Sequence, residues 1–457
     1  MYWHLKLLVA ALFATSASFG PFFSLFMQDK GFNALQIGAM ISLSRTVMLV
    51  TTPVVCAVAD RRQTHREILA VLACGAAGTM VAFRFAPRGD FESAAFIFVL
   101  YACCSGSKMA LCDTIVLHSC RGGWDRYPLQ RLWGSISWGA VSLLIGYCLR
   151  LINSRLAAVG ESSYEAVPLI HAGFNVAFMA VVVGFIPSTN GFARSVDEEI
   201  PCTPTAENLS RPTPPFLWLQ TVSHGVATYW RVAKDRRVFA PIVGGVMILS
   251  TAEVALNNFL FPYMRKQLAA PPELFGYILA LHSVSEVCAF AVSSKLLQRL
   301  GSPKWLLITS SIAFASKSFF YSIMSDPWSV LGVEWLHGMC FGFMWAGAVA
   351  HVSRCAASLA AKIEAEEMSA LRPPSEEQLS EGPLRGEAGG GVRAASMAMT
   401  TLWFFCNGLP NIVGGLLSGA IVQFSDKREI TLFHSVGWLC LSLVVAFQLY
   451  GYYGLFA

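Results

Sequence analysis

Residues 113–138 read DTIVLHSC-RGGWDRYPLQ-RLWGSISW: the end of one very apolar helix, a short charged turn, and the start of another. Asp113 and Arg131 stand nine residues to either side of Gly122, the centre of the turn. At about 1.5 Å of rise per residue, each is expected roughly 13 Å below the membrane surface, near the middle of a hydrocarbon core ~30 Å thick. An acid and a base thereby share one depth on adjacent helices. Trp138, seven residues past Arg131, falls two helical turns on and on the same face. An acid, a guanidinium and an indole facing one space inside a membrane point to a solute site.

The rest of the chain supplies the membrane setting. Of 457 residues, 55% are hydrophobic and 13% charged, with a mean hydropathy of +0.54, values of a polytopic membrane protein. Apolar stretches of spanning length are expected at 5–27, 34–58, 66–86, 94–119, 129–151, 166–187, 238–263, 274–298, 304–325, 328–352, 394–423 and 432–456. Twelve spans leave both termini on one face. Lys and Arg outside the helix centres favour that face by roughly two to one, the bias of a cytoplasmic face; the plasma membrane is the default location. The net charge of +5 follows from those inner loops and calls for no nucleic-acid partner. The thirteen cysteines show neither metal-ligand spacing nor an extracellular framework and read as small packing residues. The first apolar run has a short charged flank and fits the twelve-helix count, so it is expected to stay as a helix and not to be cleaved as a signal peptide.

Residues 188–237 change character. SVDEEIPCTPTAENLSRPTPP, at 195–215, is rich in Pro, Ser and Thr and cannot bury a core, so a largely disordered cytoplasmic linker is expected. It divides an N-terminal six-helix bundle, 1–187, from a C-terminal one, 238–457. A second cytoplasmic insertion is expected at about 353–393. Each half carries a charged loop between its second and third helices, ADRRQTHR at 59–66 and KLLQRLGSPK at 295–304, the weak internal repeat of a duplicated transporter. In the first, Asp60, Arg61 and Arg62 read as a gating latch.

Eight charges stand inside apolar runs: Arg45, Lys108, Arg131 and Lys317 against Asp113, Glu253, Glu286 and Glu334, with His337 besides. At about 2.5–3.5 kcal/mol for each charge at a helix centre, eight unpaired ones would cost roughly 20 kcal/mol or more. An ordinary domain is stable by only about 5–15 kcal/mol, so these residues must pair, line water, or both. Lys317 and His337 lie ten residues to either side of Pro327, and Glu334 and His337 are one turn apart on one face. Carboxylates and a histidine in such a place suit a proton-coupled step. No GxxxxGK[ST] phosphate loop and no nucleophile–base or zinc-ligand motif occurs in the sequence. An ATP-driven pump, an enzyme, a cofactor and a metal are therefore not expected.

On these residues the chain resembles the major facilitator superfamily. DTIVL, RLWGSISWG, FGYILALHSVSEV and EWLHGMCFG are similar to the branch that contains lactose permease, nucleoside–proton symporters and phenylpropionate permease-like proteins. The resemblance implies an all-α integral membrane protein, with twelve transmembrane helices in two six-helix bundles, acting as a monomer by alternating access. It implies solute contacts at Asp113, Arg131 and Trp138, and proton coupling at His337, with Lys317 beside it. The chain departs from lactose permease in three places. Cys340 stands where that permease has its proton-carrying glutamate, while Glu334 lies three residues before His337. Glu286 lies one turn beyond the corresponding acid position, which is Ser283 here. Glu253 matches an acid that pairs there with a lysine on helix 11, which here has none. The wider branch places acids as Glu286 and Glu334 are placed. The expected function is therefore proton-linked symport of a small polar or amphipathic organic solute, with uniport, or a membrane receptor working through its cytoplasmic loops, as alternatives.

Overall fold

The computed structural model describes residues 2–62, 64–119, 127–156, 163–187, 236–352, 354–355, 407–425 and 429–456, with the side chains at 60, 61, 117, 118, 127–129, 131, 156 and 163 excepted. Almost all of the expected linker and of the expected insertion lie outside the described residues; Arg236 and Arg237, expected in the linker, belong to a helix. Among those described there is no strand.

The helices alternate in direction along the chain. They are α1 (Trp3–Asp29), α2 (Ala34–Arg62), α3 (His65–Arg84), α4 (Phe91–Ser105 and Lys108–Ser119), α5 (Tyr127–Leu156) and α6 (Val167–Phe185) in the first half. The second half holds α7 (Arg236–Leu268), α8 (Pro272–Leu300), α9 (Lys304–Ile323), a segmented α10, α11 (Leu409–Phe424) and α12 (Glu429–Tyr452). Among the described residues ten helices are long and apolar enough to cross a membrane, and α11 is a shorter apolar helix. The segmented α10 runs from a 3-10 turn at Pro327–Ser329 through Val330–Glu334 and a π turn at Gly338–Gly342 to helical residues 343–352.

Local chemistry sets the breaks. In α1, Gly20 and Pro21 open a 3-10 turn at Gly20–Phe22, since proline removes a backbone donor but suits a first turn. Asp90 caps α4, accepting from the Ser93 hydroxyl at 2.5 Å and from the Ser93 N–H at 3.3 Å; these bonds hold its carboxyl below the usual range. Gly31 and Gly301 take left-handed conformations after α1 and α8, where a side chain would be strained.

The two halves share a core at the end opposite the N-terminus. Phe22 and Phe26 of α1, Phe261 of α7 and Phe275 of α8 belong to one buried cluster, with the Phe261 and Phe275 rings stacked at 4.5 Å. Close helix crossings join the halves at the same end. A Cβ on Gly38 of α2 would lie 2.2 Å from the Gly415 carbonyl oxygen of α11, and one on Gly146 of α5 would lie 3.1 Å from Gly276 Cα of α8. The ion pairs Arg265–Asp29, at 2.6 Å, and Arg150–Glu273, at 3.4 Å, also cross between the halves there. Toward the N-terminal end each half has its own cluster. In the first, Leu5, Leu12, Leu69, Leu111 and Phe178 pack together; in the second, Ala289, Leu306 and Phe343 do.

Candidate functional site in the membrane interior

Helices α8, α9 and α10 each contribute two titratable side chains one turn apart: His282 and Glu286, Lys317 and Tyr321, Glu334 and His337. They converge on Glu334, which is wholly buried. Glu334 accepts from His282 Nε2 at 2.5 Å, from Lys317 Nζ at 2.7 Å, and from the Tyr321 hydroxyl. Lys317 Nζ also donates to His337 Nδ1 at 3.2 Å. An ammonium only donates, so Nδ1 is an acceptor and the network assigns the imidazole proton to Nε2. That N–H donates to Glu286 Oε1 at 3.1 Å. The two imidazoles stack, with centroids 3.7 Å apart and planes 7° from parallel.

The cluster is tight because α8 and α10 touch through backbone. A Cβ on Gly338 would lie 2.0 Å from the Ser285 carbonyl oxygen, and the Gly338 N–H donates to Ser285 Oγ at 3.0 Å. Cys340 is buried in the π turn, and its carbonyl accepts from Ser310 at 2.6 Å. Ligand atoms of His282, Glu334 and His337 fall within 4.8 Å of one another, a spacing that also suits a metal ion. Here Lys317 supplies the positive charge among them.

The carboxylates differ in what remains free. Glu334, with a side-chain exposure of 0%, meets three donors and presents no open oxygen face. Glu286, at 24%, has a single side-chain partner among the described residues and keeps part of its carboxylate accessible. Glu253 on α7 is half-buried, has no hydrogen-bond partner among the described residues, and lies within electrostatic reach of Glu286 and Lys317.

A second polar network fills the first half. Lys108 Nζ donates to Asn175 Oδ1 at 2.7 Å, which turns the amide so that Nδ2 donates to His171 Nε2 at 2.9 Å. The Tyr101 hydroxyl meets the same nitrogen at 3.0 Å, and His171 Nδ1 meets Ser18 Oγ at 2.9 Å. Arg45 lies within electrostatic reach of Tyr101.

The sequence-derived site residues divide accordingly. Glu286, Lys317, Glu334 and His337 come together. Trp138 is half-buried on α5. Its neighbour Gly139 lies against Ser283 and Ala280 of α8, where an added Cβ would sit 3.2 Å and 3.6 Å away; the indole therefore stands level with the turn carrying His282 and Glu286. Asp113 is half-buried on α4. The side chains of Arg131, Asp60 and Arg61 lie outside the described residues, while Arg62 is exposed at the end of α2. Sequence reasoning missed His282, Tyr321, His171 and Asn175. The signal available was a polar residue one turn from another polar residue inside an apolar run.

The chain matches the MFS_1 like family over residues 2–366. It is 25% identical over 100 residues to the Xenopus laevis major facilitator superfamily domain-containing protein 6-like protein B, a match covering 22% of this chain and 16% of that protein. Its fold is similar to that of the nucleoside transporter NupG, with a TM-score of 0.68, 17% identity, and 98% of each chain covered. A POT family transporter bound to 5-aminolevulinic acid superposes with a TM-score of 0.63 at 12% identity, over 98% of this chain and 95% of that one. With its family matched over most of its length and its helices long enough to span a bilayer, this chain belongs to the MFS_1 like family, and it is a multi-pass membrane protein with the major facilitator fold.

Proposed function

We propose that the protein couples proton movement to symport of a small polar or amphipathic organic solute, in the class of sugars, nucleosides and aromatic acids. The observation that carries this reading is the buried chain Glu334–Lys317–His337–Glu286, which ends at a carboxylate that is partly accessible. Glu286 is the proton-loading group. Taking a proton removes its charge and with it the charge-assisted acceptor of His337 Nε2–H, so the second half loses an exposed negative charge before the halves rearrange. Lys317 and Glu334 hold His337 in the tautomer that faces Glu286, and His282, stacked on it, fixes the ring. Asp113, Arg131 and Trp138 contact the solute: the first two bind its polar groups, and the indole presents a face to its ring.

Both termini face the cytoplasm in this reading, which makes Asp60, Arg61 and Arg62 a cytoplasmic latch. The protein works as a monomer in the plasma membrane. Purified protein in liposomes with an imposed pH gradient tests the coupling. Wild type accumulates solute against its gradient, while Glu286→Gln exchanges solute across the membrane but no longer concentrates it. Accumulation by Glu286→Gln that still follows the pH gradient would remove Glu286 from the coupling step, and wild-type uptake that only equilibrates the solute, whatever the pH gradient, would leave a uniporter.

A further inference from the structure

Two positive charges in the membrane interior of the first half meet no carboxylate among the described residues. Among the described residues Arg45 donates only to Met48 Sδ, at 4.0 Å, and Lys108 only to the neutral Asn175. Residues 394–406, outside the described residues, include no acidic residue. In the second half, Lys317 has its carboxylate in Glu334. Among the described residues the two halves thus differ: the second gives its interior lysine a carboxylate, and the first gives none to Arg45 or Lys108.

Arg45 also points to the right place. Gly38 lies against Gly415 of α11, and Ser42 Oγ donates to the Ile412 carbonyl at 2.5 Å. Arg45, one turn beyond Ser42, shares that face of α2. It is exposed although it stands near the middle of a membrane-length helix, on the face that α2 turns toward the second half. Lys108 sits behind it: Gly106 packs on Met48 of α2, where an added Cβ would lie 2.7 Å from Met48 Cγ, and Tyr101, His171 and Asn175 link the two cations through one network.

We infer that Arg45, with Lys108 behind it, receives an acidic group of the transported solute, a carboxylate or phosphate; the inference rests on the transport reading above and narrows its substrate class to organic anions. The guanidinium fork matches either group bidentately. A buried ammonium a short distance behind adds attraction in a medium that screens little. The ligand's charge then meets the one that the first half leaves uncompensated.

The test uses matched compounds that differ by an acidic group: glucuronate with glucose, uridine monophosphate with uridine, and benzoate with benzyl alcohol, plus inorganic phosphate alone. Binding to purified wild type, Arg45→Gln and Arg45→Lys is read by thermal stabilisation and by uptake into liposomes. The expected result is that at least one acid form binds and its neutral partner binds roughly tenfold more weakly or worse. Arg45→Gln abolishes that preference and Arg45→Lys keeps part of it. Arg45→Gln removes an uncompensated charge, so it folds at least as stably as wild type and the loss is not one of folding. Inorganic phosphate binding as tightly as uridine monophosphate would make the solute a free anion and overturn the organic part of the inference. Equal binding of acid and neutral forms, or an acid preference that survives in Arg45→Gln, overturns the inference while leaving transport standing. Neither binding nor uptake of any compound would take down the transport reading and this inference with it.

Discussion

Lys317 has the most demanding position of any residue in the second half. It is buried, it cannot reach water, and its charge is held by Glu334 at 2.7 Å. Removing one partner of such a pair strands the other, at a cost of about 3–5 kcal/mol. Glu334→Gln and Lys317→Met are each expected to lower stability by that order, and the double variant by much less than the sum. Denaturant unfolding of the four proteins gives the coupling; additive losses would show that the two residues do not stabilise one another. The presence of this cluster was legible in the sequence. A lysine, a histidine and two glutamates in apolar runs are too costly to leave unpaired, and their equal spacing about Pro327 placed Lys317 and His337 at one depth. Which acid would take Lys317 was not legible, because Glu253, Glu286 and Glu334 satisfy the same arithmetic. His282 and Tyr321 escaped because a neutral histidine or tyrosine costs little on a hydropathy scale, and only their convergence on Glu334 gives them a role.

At the scale of the helix, the contact between α8 and α10 depends on one missing side chain. Gly338 has the Ser285 carbonyl where its Cβ would be, whereas Gly332, six residues earlier on the same helix, would meet nothing within 4 Å. Gly338→Ala is expected to part the two helices, lower the melting temperature and remove coupled transport, while Gly332→Ala leaves both unchanged or slightly raises stability through its better helix propensity. Equal behaviour of the two variants in a thermal melt and an uptake assay would count against the contact. Helix positions were legible from length and apolarity, and so was the break at Gly20-Pro21. The Gly415-xxx-Gly419 pair was legible as a close-packing motif, and Gly38 of α2 meets both glycines. The segmentation of α10 and the π turn of α7 at Ile242–Val246 were not, since a π turn adds one residue to a turn without changing composition. The placement of the Arg131, Asp60 and Arg61 side chains lies outside the described residues, so the Asp113–Arg131 pairing expected from spacing stays a proposal.

For the whole molecule, an even number of alternating helices and a weak repeat of charged loops were enough to imply the fold. The state it rests in was not implied, because that depends on contacts between halves that are distant in sequence. Those contacts gather at the end opposite the N-terminus: the shared aromatic core, the glycine crossings, and the pairs Arg265–Asp29 and Arg150–Glu273. The apolar and glycine contacts are indifferent to the surrounding electrolyte. The ion pairs are not, since Arg150 is 59% and Arg265 29% exposed. Raising ionic strength from about 0.01 M to about 1 M shortens the screening length from roughly 30 Å to roughly 3 Å. An exposed pair contributes at most about 1 kcal/mol, which corresponds to about a fivefold change in the ratio of closed to open molecules. This end of the carrier should therefore loosen when salt is raised on its own face of the membrane. In liposomes, a distance probe across this end should report more open molecules when salt is raised on that face and no such opening when it is raised on the other. An equal response from both faces would mean that the ion pairs do not set the balance, and a one-sided response would make the medium outside that face a control on how long the carrier waits between cycles.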